Sequence, residues 1–243
     1  MSETEARLEF LLPYEIRARL AERSIVYLPL GTIEWHCEHL PVGLDGLTAH
    51  GICLDAARQD GGIVYPTLYF GTGGGHSLYP WTVMMDNERE IAGEIVKALG
   101  RLQDFGVRIV VLFSGHFAPG QLSMIDDIAD GWNASGRPMK VIATAVNRIE
   151  GLTFGPDHAG LFETTLLGGL WPDRVQIDRL PSVETAPLAH DDTWEAGRHD
   201  QLHPLWGVIG ADPRSYEAHQ GPSLIAACTK WLLGRVASEL TGV

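Results

Sequence analysis

The hydrophobic positions along the chain switch between two periods. Ser24–Leu30, Val107–Phe113 and Met139–Val146 are short, largely apolar runs, the pattern of strands covered on both faces. Ile63–Phe70, rich in β-branched and aromatic residues, predicts a further strand. Between these runs, apolar residues recur at helical intervals over Pro13–Glu22, Leu47–Gln59, Asn87–Phe105, Gln121–Gly131, Leu161–Leu170 and Leu224–Leu240. Asn87 stands where an N-cap is expected. The alternation predicts an α/β fold, a three-layer α/β/α sandwich on a mainly parallel sheet, in a single domain over residues 1–243. Leu180–Pro222 has no regular period and predicts loops over a site or a subunit contact, with Trp194 and Trp206 as its aromatic anchors.

Chemistry-bearing residues collect just after the strands, where open α/β sheets bind ligands. Glu34-Trp35-His36-Cys37-Glu38-His39-Leu40-Pro41-Val42-Gly43-Leu44-Asp45 follows the first strand and holds two histidines and three carboxylates in twelve residues. Glu34 and His36 point the same way in an extended segment. Charge gathered beside a buried strand needs compensation, and a divalent Zn, Mn, Fe or Co ion suits this nitrogen and oxygen set. Asp45 is expected at the start of the next helix, either as a cap or as a rigid bridge between two metals. His116 follows the third predicted strand, next to Gly115, and is a candidate ligand. His76 sits among glycines, in a loop that suits close approach to a ligand or simple connection. His158 and Glu163 lie at a predicted helix start. Glu163 is either a first-turn acid favoured by the helix dipole or a buried carboxylate that needs a metal or a histidine beside it. His39, Cys37 and Glu38 are expected to be structural. His190 with Asp191 and Asp192 reads as an exposed polar loop.

Composition narrows the partners. A net charge of −13 disfavours nucleic acid and anionic membranes. Three widely spaced cysteines make no disulfide framework. The N-terminal residues lack the form of a signal peptide and no apolar stretch reaches spanning length, so a cytoplasmic location is expected.

Taken together, the motifs resemble the creatininase (creatinine amidohydrolase) family. Its first signature, Glu-x-His-Gly-x-His-Leu-Pro-x-x-Thr-Asp, is matched in spacing by Glu34 to Asp45, with Cys37 for Gly and Leu44 for Thr. A Gly-rich loop leading through His to Phe-Pro-Gly-Thr is similar to His76-Ser77-Leu78-Tyr79-Pro80-Trp81-Thr82. Asn-Gly-His-Gly-Gly-Asn is similar to Ser114-Gly115-His116-Phe117-Ala118-Pro119, and His-Ala-Gly-x-x-Glu-Thr-Ser to His158 through Thr165. Gly210-Ala211-Asp212-Pro213 echoes a late Gly-Asp-Pro segment.

The resemblance implies a three-layer fold, one or two divalent metals (Zn, Mn or Fe) and hydrolysis of an amide or cyclic-amide C–N bond in a small molecule by a metal-bound hydroxide. It also implies a homo-oligomer, often a hexamer. Carried over by position, it makes Glu34, His36, Asp45 and His116 metal ligands with Asp45 bridging, and gives His158 and Glu163 proton transfer or ligation. Creatininase has a ligand glutamate where this chain has Ala118. That departure argues against creatinine as substrate and nominates Glu163 to complete the second metal site. Phe154 is a candidate for an aromatic lid. Other members are formamide hydrolases or peptidases that trim a modified peptide, and a binding protein that has kept only the fold is the non-enzymatic alternative.

Overall fold

The computed structural model describes residues 5–74, 79–83, 85, 87–188 and 200–240. After helix α1 (Pro13–Glu22) come strand β1 (Ile25–Leu30), α2 (Leu44–Asp60), β2 (Ile63–Val64) and α3 (Glu88–Asp104). They are followed by β3 (Ile109–Ser114), α4 (Pro119–Ala134), β4 (Lys140–Ala145), α5 (Leu161–Leu170) and α6 (Gly221–Leu240). The sheet order is β2-β1-β3-β4 and each neighbouring pair is parallel.

Alternation along the central strands divides the core into two layers. Ile25, Tyr27, Val111 and Phe113 face one way, into a cluster shared with α2, α5 and α6. Val26, Leu28, Val110 and Leu112 face the other way, against α3 and α4. Every residue of β1 and β3 is buried, which is why their sequence shows no polar alternation.

Two expectations are corrected. The strand over Ile63–Phe70 is regular only at Ile63–Val64. Pro66 has no N–H to give, although Tyr65 and Leu68 still donate to the carbonyls of Tyr27 and Pro29 on β1. Asn87 does precede α3, but its side chain makes no capping bond.

The ends of β1 and β3 fix the site. Leu30 lies beside Ser114, so the two strands finish level, and each is followed by a glycine. A Cβ on Gly31 would stand 2.2 Å from the amide nitrogen of Gly46, and one on Gly115 would stand 2.0 Å from the carbonyl oxygen of Asp45. Only glycine lets the first turn of α2 sit this close to the sheet's edge. The contact lodges Asp45 between the segments that leave the two strands.

Candidate metal centre

Five side chains from four segments converge in a buried cluster. Glu34 and His36 leave β1, Asp45 opens α2, His116 follows β3, and Glu163 lies in the first turn of α5. None is more than 5% exposed. His36 Nε2 lies 3.4 Å from Asp45 Oδ1 and 3.5 Å from Glu163 Oε2. His116 Nδ1 lies 3.1 Å from Glu34 Oε2 and 3.3 Å from Asp45 Oδ2. Asp45 therefore turns one oxygen to each half of the cluster. Glu34, Asp45 and His116 form one group whose donor atoms all lie within 4.8 Å, and His36, Asp45 and Glu163 form a second on the same criterion. His158 joins Glu34 and His36 in a third.

Hydrogen bonds to the backbone hold His36 and Glu163 and tie the turn that carries His116. His36 Nδ1 donates to the carbonyl of Glu34 at 3.0 Å, which leaves Nε2 as the nitrogen facing the carboxylates. The turn after β3 is tied by Ser114 Oγ donating to the His116 carbonyl, with Gln121 Nε2 donating to Ser114 Oγ at 3.3 Å. Asp157, buried before α5, accepts the N–H groups of Phe162 and Glu163 at 2.8 and 3.2 Å and caps the helix from outside. Glu163 reaches back to accept the Ala159 N–H at 2.6 Å. Glu163 is thus both a first-turn acid and a buried neighbour of His36, so the two sequence readings meet in one residue.

Burial and opposing charge set the electrostatics of the cluster. Burial works against charge on His36, yet the Glu163 and Asp45 carboxylates overcome it and raise the imidazole to about 10. His116 is opposed by burial in the same way and raised well above its usual range by Asp45 and Glu34. Burial opposes ionisation of Asp45, but His36 and His116 pull it far below the usual carboxylate range. Glu34 is lowered against its burial by His158 and His116. Burial pushes Glu163 well up. Protons on the imidazoles thus stand where cations would balance the buried Asp45 and Glu34 carboxylates. His36 Nε2 and His116 Nε2 are buried without an aligned hydrogen bond among the described residues. Imidazole and carboxylate donors in this mix fit a divalent transition ion on each side of Asp45.

Other sequence expectations sort as follows. His39 is structural: it is buried, its Nε2 lies 3.0 Å from Thr164 Oγ1, and burial, with His36 nearby, pushes it down to about 3. Cys37 is buried in an apolar cluster with Leu40, Leu44 and Ala159, and burial raises its thiol to about 11. Its φ of 58° explains a glycine at that place in the motif. Trp81, also at a motif glycine, has φ 58° as well. Phe154 is half-buried and packs against the core layer of α5 and α6. Trp206 is half-buried, 6.1 Å from Trp35 and 4.9 Å from Tyr79 between ring centres. His76, His190, Asp191, Asp192 and Trp194 lie outside the described residues. Sequence reasoning gave no role to Asp157, Gln121 or Tyr79. Asp157, three residues before the N-cap position Gly160, lies too far out for a simple capping pattern, and Tyr79 reaches the site only through tertiary packing.

A family model described as Creatininase: Creatinine amidohydrolase matches residues 12–236. The chain belongs to the creatininase family. Creatinine amidohydrolase of Pseudomonas putida is 26% identical over 252 residues, covering 93% of this chain and 94% of that protein. Mycofactocin precursor peptide peptidase of Mycolicibacterium smegmatis (strain ATCC 700084 / mc(2)155) is 28% identical over 229 residues, covering 87% and 84%. A solved creatininase structure superposes with a TM-score of 0.74 at 23% identity, covering 97% of this chain and 98% of that one, and shares the fold. The residues expected as ligands, Glu34, His36, Asp45 and His116, meet in this cluster, and Ala118 precedes α4 with no donor side chain.

Proposed function

We propose that this protein is a two-metal amidohydrolase whose substrate is an amide or cyclic amide other than creatinine. One observation carries the proposal: the buried Asp45 carboxylate is shared by two donor triads, Glu34–Asp45–His116 and His36–Asp45–Glu163. Glu163 supplies on the second side the carboxylate that Ala118 cannot. Solved creatininases include a zinc-pair form and a manganese form, so zinc and manganese, then iron, are the ions to try.

Bound there, the ions supply Lewis-acid polarisation of a carbonyl and lower the pKa of water towards neutrality. The chain's residues do the rest. Asp45 fixes both positions at once. His158 Nε2 lies 3.0 Å from the Trp35 carbonyl, which can only accept, so that nitrogen donates to it. His158, grouped with Glu34 and His36, is the residue placed to move a proton to the leaving nitrogen. The burial of the whole cluster excludes bulk water from competing for it.

Peptide-bond cleavage is the second reading. It is favoured by the peptidase relatives, which match this chain at identities as high as the creatinine amidohydrolase does. The test loads metal-free protein with Zn or Mn and screens cyclic ureides, formamides and short peptides for C–N hydrolysis by mass spectrometry. Two ions per chain with turnover of a cyclic ureide or a formamide supports the proposal, and turnover of peptides alone supports the second reading. No metal uptake, or full uptake with no turnover of any class, overturns it.

A further inference from the structure

Gln121, on the first turn of α4, carries an amide that is wholly buried. Its Oε1 accepts the Thr72 N–H at 3.1 Å, and its Nε2 donates to Ser114 Oγ at 3.3 Å. A backbone N–H can only donate, so Thr72 fixes which end of the amide faces which way. Ser114 Oγ accepts from Gln121 and gives its own proton to the His116 carbonyl, which can only accept. The donors therefore run in one direction, from the Thr72 amide through Gln121 and Ser114 to the backbone of a candidate metal ligand. A buried amide satisfied at both ends is hard to replace, because each abandoned partner is left without a bond.

Glycines bring these segments together. A Cβ on Gly73 would stand 3.0 Å from Gly120 Cα, and one on Gly71 would stand 2.6 Å from Thr32 Cβ. Residues 71–74 thus touch both ligand-bearing segments, at Thr32 just ahead of Glu34 and at Gly120 just after His116. The His116 turn itself meets the Asp45 backbone through Gly115.

We propose that Gln121 is a positioning residue of the metal centre. It sets the His116 turn against the glycine stretch, and so places the His116 imidazole for the ion shared with Glu34 and Asp45. The inference rests on the two-metal reading for the ion and on hydrogen bonds of this chain for the residue. Gln121 belongs to none of the donor groups. Its bonds reach Thr72 and Ser114, and neither lies on the segments that carry His36, Asp45 and Glu163. Its replacement should therefore weaken one ion and spare the other.

The experiment titrates zinc into the metal-free protein against a chromophoric chelator. The two binding steps are assigned with Glu163→Gln, which weakens the ion on the His36 side. Hydrogen exchange at the Thr72 amide is read on the metal-free protein alongside. Gln121→Met, close in length but without the amide, should speed that exchange. It should also weaken the His116-side step about ten-fold or more, the scale on which partners of ligand residues act, and leave the His36-side step within a few-fold. Ser114→Ala should weaken the same step while Thr72 stays protected, because the Gln121 bond to Thr72 remains. Equal weakening of both steps by Gln121→Met would overturn the inference, as the mark of a merely structural residue. So would two unchanged steps. If Gln121→Met fails to fold, Ser114→Ala decides by itself, and an unchanged His116-side step in that variant overturns the proposal. Failure of the underlying reading looks different: wild type would take up fewer than two zinc ions before any substitution is made, and the inference would fall with it.

Discussion

Replacing Asp45 by Asn changes one oxygen to NH₂ in the side chain that both donor triads share. Asp45 is 1% exposed, and its oxygens lie 3.4 Å from His36 Nε2 and 3.3 Å from His116 Nδ1. An amide can turn its oxygen to one side only. A unit charge about 4 Å from a divalent ion, at an effective dielectric near 20, is worth about 8 kcal/mol before desolvation. Leaving a buried charge unformed recovers several kcal/mol of that. A net loss of about 3–4 kcal/mol per ion corresponds to roughly 10²–10³-fold in affinity. The loss should fall on both ions together, whereas Glu163→Gln should weaken only the ion on the His36 side. The assay is chelator competition with elemental analysis on wild type, Asp45→Asn and Glu163→Gln. Asp45→Asn that keeps one ion at wild-type affinity would refute the shared-carboxylate argument.

Three further outcomes follow from the same geometry. Because His36 is raised to about 10 and His116 well above its usual range, adding zinc to metal-free protein at pH 7 should release at least two protons. Calorimetry in buffers of different ionisation enthalpy measures the release, and fewer than one proton would contradict it. His39 is pushed from 6.5 down to about 3, so the unfolded chain binds a proton in that window that the folded chain refuses. Metal-free protein should therefore lose stability as pH falls from 6.5 towards 3, and His39→Gln should flatten that limb in urea midpoints. His36 acts in the opposite sense, its contribution being complete below 6.5 and lost as pH rises through about 10. Cys37→Gly relieves a left-handed backbone worth about 1–2 kcal/mol and gives up a small buried side chain, so its stability should stay within about 1 kcal/mol of wild type. Cys37→Val, branched at that φ, should cost about 2 kcal/mol or more, and equal midpoints for the two variants would count against the strain.

The parallel sheet was legible because β1 and β3 are buried on both faces and carry almost no polar residue. Glu34, His36, Asp45 and His116 were legible because each follows a strand end or starts the next helix, where topology alone brings residues to one rim. β2 was overextended since apolar content does not reveal that Pro66 interrupts its ladder. The dual role of Glu163 lay beyond sequence: capping and burial beside His36 depend on how α5 packs against α2. The contacts of Trp206 with Trp35 and Tyr79 were equally hidden, because these residues meet only through tertiary packing. Asp157 carried a weaker signal, an acid just ahead of a helix, that its distance from Gly160 obscured.

Anomalous diffraction from crystals grown with zinc or manganese tests the central claim most directly. The account predicts two anomalous peaks flanking the Asp45 carboxylate, one reached by Glu34 and His116, the other by His36 and Glu163. A single peak, or two peaks that do not share Asp45, would contradict it.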